Sequence, residues 1–142
     1  MDTITSFIAN KLEQEPVPEY HNSRWHMWDT GGVTTEEGEF IYALIRMLKP
    51  SYCLETGTYR GWSSSYIGLA LKHNNEGYLD AVEYEPQHMA TSKEKWGKLD
   101  IQTRITEHLV SSLVFNPAHN YDFIFLDTEP QTRFSEFNRF YP

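Results

Sequence analysis

Tyr52-Cys53-Leu54-Glu55-Thr56-Gly57-Thr58-Tyr59-Arg60-Gly61-Trp62-Ser63-Ser64-Ser65 reads as a short buried strand, a tight glycine turn with a carboxylate at its mouth, and the start of a helix. Glycine lets the backbone bend sharply and come close to a ligand. The helix that follows offers unpaired N–H groups and the positive end of its dipole. In an α/β sheet that combination holds a nucleotide-like molecule at the carboxyl end of a strand. The spacing is Glu-x-Gly-x-x-x-Gly, not Gly-x-Gly-x-x-Gly, and no Gly-Lys-Ser/Thr follows. Neither the dinucleotide fingerprint nor a P-loop is present, and the turn suits a nucleoside without a pyrophosphate.

The neighbouring sequence builds a sheet around this turn. Upstream, Thr34 and Glu37 have capping-box spacing and open a helix, with Phe40, Ile41, Leu44, Ile45 and Leu48 as its buried face and Pro50 at its end. Strand one is 52–56, and a helix follows over about 62–73. Gly77 precedes strand two, Tyr78-Leu79-Asp80-Ala81-Val82-Glu83, and Pro86 starts a helix to about 98. Strand three is expected at 101–106, with a short helix at 109–115. Strand four is 122–127, and a last helix spans about 131–140. This alternation predicts an α/β fold, a Rossmann-like parallel sheet covered by helices on both faces. With strand order 3-2-1-4, the apolar strand Phe123-Ile124-Phe125-Leu126 has a bare outer edge, which invites pairing with another chain and so a homo-oligomer.

Residues 1–33 precede this unit as a short amphipathic helix, at 3–14, and an irregular arm rich in aromatics: Tyr20, Trp25 and Trp28. Residues 34–142 form the nucleoside-binding unit. At 142 residues the chain is one domain with a core of its own. Its net charge of -8 argues against a nucleic-acid partner, and the nearest basic cluster, Lys93, Lys95 and Lys98 around Glu94, reads as a solvated helix face. Cys53 is the single cysteine and reads as a core residue. No apolar run approaches a membrane span, and the start lacks a secretory signal, so a cytoplasmic protein without membrane contact is expected. The six histidines show no metal spacing and read as single surface residues.

Four motifs, in order, make the chain resemble the front half of a class I S-adenosylmethionine-dependent methyltransferase. It is most similar to the small-molecule O-methyltransferases of the caffeoyl-CoA and catechol group. They are Thr34-Thr35-Glu36-Glu37-Gly38-Glu39-Phe40, Leu54 to Ser63, Val82-Glu83-Tyr84-Glu85-Pro86, and Tyr121 to Asp127. The resemblance implies S-adenosylmethionine as cofactor and an oxygen of a small-molecule acceptor as methyl target. It places Gly57 and Gly61 at the methionine and ribose end, and Glu55 near the amino group. Tyr59 and Ser63 would contact the cofactor, Glu83 would accept both ribose hydroxyls, and Tyr84 would pack on the adenine. Ser111 or Ser112 would reach the adenine edge.

Asp127 would sit beside the methyl-donor sulfur as catalytic residue and, in metal-dependent members, hold a divalent cation such as Mg2+; its plainer reading is a helix cap. The family's further metal ligands and its fifth strand would lie beyond Pro142. On that expectation the domain is incomplete, and the chain alone binds cofactor weakly and turns over poorly. Thr128-Glu129-Pro130 also departs from the aromatic or basic residues that often follow the strand-four Asp, which leaves the acceptor open. Two other readings share the scaffold. One is a non-catalytic nucleoside-binding or assembly module, and the other is an enzyme resembling the cephalosporin-hydroxylase group.

Overall fold

The computed structural model describes residues 3–141. After α1 (Ile4–Leu12) and a two-residue ladder of β1 (Val17–Pro18) with β2 (His26–Met27) come α2 (Thr35–Leu48), β3 (Tyr52–Thr56) and α3 (Trp62–Asn74). They are followed by β4 (Tyr78–Glu83), α4 (Pro86–Lys98), the 3-10 turn Gln102–Arg104, β5 (Ile105–Leu109), β6 (Phe123–Leu126) and α5 (Pro130–Phe140). The main sheet is fully parallel in the order β5-β4-β3-β6, which is the predicted 3-2-1-4.

Alternation along each strand divides the side chains between two faces. Cys53, Leu79, Ala81, Phe123 and Phe125 meet Ile8, Ile41, Ile45, Tyr66, Ile67 and Trp96, so α1 to α4 all lie on one face. Leu54, Val82 and Ile124 face the other way, toward Phe115, Tyr121 and Phe140, where the 110–122 segment and α5 cover the sheet. Every residue of α3 from Trp62 to Leu71 is buried, because that helix is packed between α2, α4 and the sheet. Gly38 makes the tight α2 crossing possible, since a Cβ there would lie 2.2 Å from the Tyr66 ring. The buried Tyr66 hydroxyl accepts from the Trp28 indole N–H at 3.2 Å, and Trp28 stacks on Trp62 with centroids 4.7 Å apart. The arm is thereby fixed to the start of α3.

Several sequence expectations shift. The capping box at Thr34 and Glu37 forms in both directions, but Phe40 and Leu48 point outward and Gly38 takes their place on the buried face. The first helix ends at Leu12 on a left-handed Glu13, ahead of Pro16. Strand three begins at Ile105, not at residue 101. Asp100 turns the chain with φ 55, and Ile101 is buried as the foot of α4. The short helix at 109–115 is absent: Leu109 ends β5, and 110–115 is a set of turns. Arg139 of α5 donates to the Leu113 and Phe115 carbonyls and holds these turns in place. Lys93 and Lys98 are exposed as expected, whereas Lys95 lies half-buried, 4.2 Å over the Trp62 ring.

Candidate active site

The carboxyl ends of β3, β4 and β6, with the start of α5, enclose a cleft of about 740 Å³. That is a usual size for a small-molecule site at the end of an α/β sheet. Gly57, Tyr59, Glu83, Tyr84, Ser111 and Asp127 line it. Gly57 is needed at its place: its φ is +77, and a Cβ would lie 2.6 Å from the Asp127 carbonyl oxygen. The turn after β3 can therefore nest against the end of β6. Its N–H donates to the Val82 carbonyl at 3.0 Å, so the same turn also leans on β4.

Glu83 is buried at the tip of β4 and is held by the backbone around it. Oε2 accepts the Tyr59 N–H at 2.7 Å. Oε1 accepts the Tyr84 and Glu85 N–H groups, each at 2.9 Å. A carboxylate has about four acceptor positions, so one position on Oε2 stays open toward the cleft.

His88, in the first turn of α4, puts Nδ1 3.9 Å from Glu83 Oε1. Its ring stands edge-on to Tyr59 with centroids 4.5 Å apart. Expected as a single surface histidine, His88 is instead a wall of the cleft. His26 pairs with Glu36, His73 with Tyr42 and His108 with Asp80, while His119 stacks on Tyr52. Pro86-x-His88, directly after an acidic strand end, was the one signal available for His88. The Tyr59 hydroxyl donates to the Thr30 carbonyl at 3.3 Å, which brings the arm to the rim. The exposed ring of Tyr84 forms an open wall, and Ser111 and Ser112 both line the side below it.

Three expected residues stand back from the main cleft. Glu55 is fully buried and accepts a hydrogen bond from the Ser63 hydroxyl, while its Oε2 has no partner among the described residues. Burial pushes its carboxyl up to about 7, against the lowering hydrogen bonds of Ser63 and Thr58. Ser63 borders a hollow of about 10 Å³, which shares Gly31, Gly57, Tyr59 and Asp127 with the larger cleft. That is room for one water. Gly61 lines neither space. It caps α3 with φ +81, and a Cβ would lie 2.8 Å from Ser92, so it serves the α3–α4 crossing.

Asp127 lies half-buried at the end of β6, and burial raises its pKa while the Arg133 charge opposes the rise. Oδ1 accepts from Arg133 Nη2 at 3.0 Å, and Arg133 Nε donates to the Thr128 carbonyl at 2.6 Å. The cap residue of α5 is Glu129, with no side-chain cap bond, so Asp127 is engaged by Arg133 rather than by the helix end. Arg133 was not singled out by sequence, because its contact depends on how α5 folds back. Among the described residues no group of three or more His, Cys, Asp or Glu is placed to hold a metal ion. No helix among them is long and apolar enough to cross a membrane.

Comparison with known proteins supplies the family. The catechol O-methyltransferase of Niastella koreensis is 28% identical over 103 residues, covering 68% of this chain and 46% of that protein. Caffeoyl-CoA O-methyltransferase 2 of Eucalyptus globulus is 27% identical over 112 residues, covering 73% and 44%. The chain spans about half the length of the curated relatives it matches. Among solved structures, the O-methyltransferase of Bacillus cereus in complex with SAH aligns with TM-score 0.69 at 20% identity, covering 79% of this chain and 53% of that one. The SAH-bound methyltransferase PaMTH1 of Podospora anserina aligns with TM-score 0.70 at 15% identity, covering 95% and 60%. At such identities these likenesses concern the fold. The sequence profile described as O-methyltransferase matches residues 13–141, nearly the whole chain, and the chain belongs to that family.

Proposed function

We propose that this chain carries the cofactor cleft of an S-adenosylmethionine-dependent methyltransferase that methylates an oxygen of a small acceptor. The observation that carries this reading is the Glu83 carboxylate, fixed by three backbone N–H groups and facing the glycine turn with one acceptor position open. A ribose hydroxyl donates to that position in a charge-assisted bond that a neutral side chain does not match. The buried Glu55, behind Ser63, lines neither space and would meet the amino group through Ser63 or the single water that the small hollow holds. Tyr84, Ser111 and Ser112 wall the space left for a base. These features fit a nucleoside bearing an amino-acid tail.

The bound cofactor supplies a methyl group on a sulfonium, a leaving group that needs no further activation. The chain's own task is alignment: Gly57 brings the turn against β6, and Asp127 and Arg133 bound the acceptor side of the cleft. Asp127, raised by burial, is the proton acceptor nearest an acceptor hydroxyl placed there. A divalent cation takes six or more oxygen ligands, and Asp127 alone does not provide them. The described residues therefore fit the nucleoside and do not by themselves form the ion's site.

Titration calorimetry with S-adenosylhomocysteine tests this reading. Saturable binding is expected, weakened about tenfold or more by Glu83→Gln, with adenosine diphosphate failing to compete. Absence of saturable binding, or binding indifferent to Glu83, overturns it.

A further inference from the structure

The acceptor side of the cleft carries a charge arrangement that the motifs do not explain. Thr128-Glu129-Pro130 follows Asp127, and the next cation in the chain, Arg133, returns to it from the first turn of α5. Its guanidinium is planar and carries five N–H donors. Nε is used by the Thr128 carbonyl and one Nη2 hydrogen by Asp127. The other three have no partner among the described residues, and the side chain is 46% exposed on the cleft wall. Among the described residues Arg133 is the single Lys or Arg lining the cleft, beside Asp127, Glu83 and the exposed Glu129, whose side chain makes no cap hydrogen bond.

An acceptor seated in line with Asp127 covers this guanidinium and strips water from its remaining donors. A neutral acceptor then leaves N–H groups of a fixed charge unpaired, which is costly. A carboxylate meets them in the two-bonded geometry that guanidinium favours. We propose that Arg133 is a positioning and specificity residue, one that anchors Asp127 through Nη2 and receives a carboxylate carried by the methyl acceptor on its free donors. The substrate class is thus a hydroxylated organic acid, methylated at a hydroxyl while its carboxylate stays unchanged as the handle. This deepens the reading above and rests on it for the identity of the reaction.

The test uses two probes that differ only in the handle, 3,4-dihydroxybenzoate and catechol, titrated into the chain with and without S-adenosylhomocysteine. The acid is expected to bind about tenfold or more tightly than catechol. Arg133→Gln removes that preference, and Arg133→Lys, which keeps the charge but loses the fork, retains part of it. Equal affinities, no binding of the acid, or a preference that survives Arg133→Gln overturns the proposal. If Arg133→Gln fails to fold, the wild-type probe pair and Arg133→Lys still decide. Failure of S-adenosylhomocysteine to bind while the acid preference persists counts against the cofactor reading and leaves the role of Arg133 intact.

Discussion

The Tyr59 backbone N–H donates to Glu83 Oε2 across 2.7 Å, tying the turn after β3 to the tip of β4. One carboxylate therefore both fastens the turn and faces the space where a ribose is proposed. Three backbone N–H groups hold that carboxylate in one place, the kind of preorganisation that favours binding.

Replacing Glu83 by Gln tests both roles at once. A carboxamide has a single acceptor oxygen, and its NH2 group then faces a backbone donor. Loss of stability by roughly 1–3 kcal/mol is expected, read as a lower urea midpoint, together with the loss of S-adenosylhomocysteine affinity. Unchanged stability would show that the Tyr59, Tyr84 and Glu85 N–H bonds do not hold the turn.

Gly57→Ala tests the nesting of the turn on β6. The left-handed φ of +77 penalises any side chain, and the Cβ meets Asp127 backbone rather than a flexible side chain. A cost of roughly 1–2 kcal/mol comes from the conformation alone, and the clash adds to it. The internal control is Gly97→Ala in α4, where a Cβ finds nothing within 4 Å. That change is expected to stabilise by up to about 1 kcal/mol. Thermal unfolding of the two variants should move in opposite directions.

Local chemistry explains what the sequence made legible. The strand at 52–56 and the helix from Trp62 follow from an apolar run, a glycine turn and a serine-rich start, all within a few residues. The capping box at Thr34 and Glu37 is likewise a three-residue signal. Ile101 to Thr106 reads as a strand by its branched residues, yet Asp100 reverses the chain and buries Ile101 under α4, which no short window shows. The turns at 110–115 depend on Arg139, some two dozen residues away. His88 and Arg133 became site residues only when α4 and α5 folded toward the strand ends.

The Glu55 contribution to stability should fall as pH rises from 4.5 to about 7. Burial pushes the Glu55 carboxyl from 4.5 up to about 7, so the folded state holds its proton more tightly than the unfolded state does. A raised carboxyl contributes its stability in full below 4.5 and loses it as pH climbs to about 7. A shift of this size corresponds to roughly 3 kcal/mol. Asp127, also raised, acts in the same direction, so the comparison with Glu55→Gln isolates the Glu55 part. Urea unfolding at about pH 5 and about pH 8 should show the wild type weakening and Glu55→Gln weakening much less. A parallel pH dependence in both proteins would remove Glu55 as the cause.

The outer edge of β6 leads to a prediction about association. Among the described residues β6 pairs on one side only, with β3, and its four residues are half-buried where a central strand would be covered. A row of unpaired backbone groups on an apolar strand is a template for another strand. The helix that follows, α5, also exposes Phe134 at 74% and Phe137 at 51%, which adds apolar surface to the chain. The net charge of -8 opposes contact between copies and is screened by salt. Self-association of this chain is therefore expected to grow with both concentration and ionic strength. Light scattering across a concentration series, at low and high salt, reads it directly. A chain that keeps its monomer mass throughout would show that the edge is protected as it stands, whereas a mass that falls with added salt would show that charge, not strand pairing, holds the copies together.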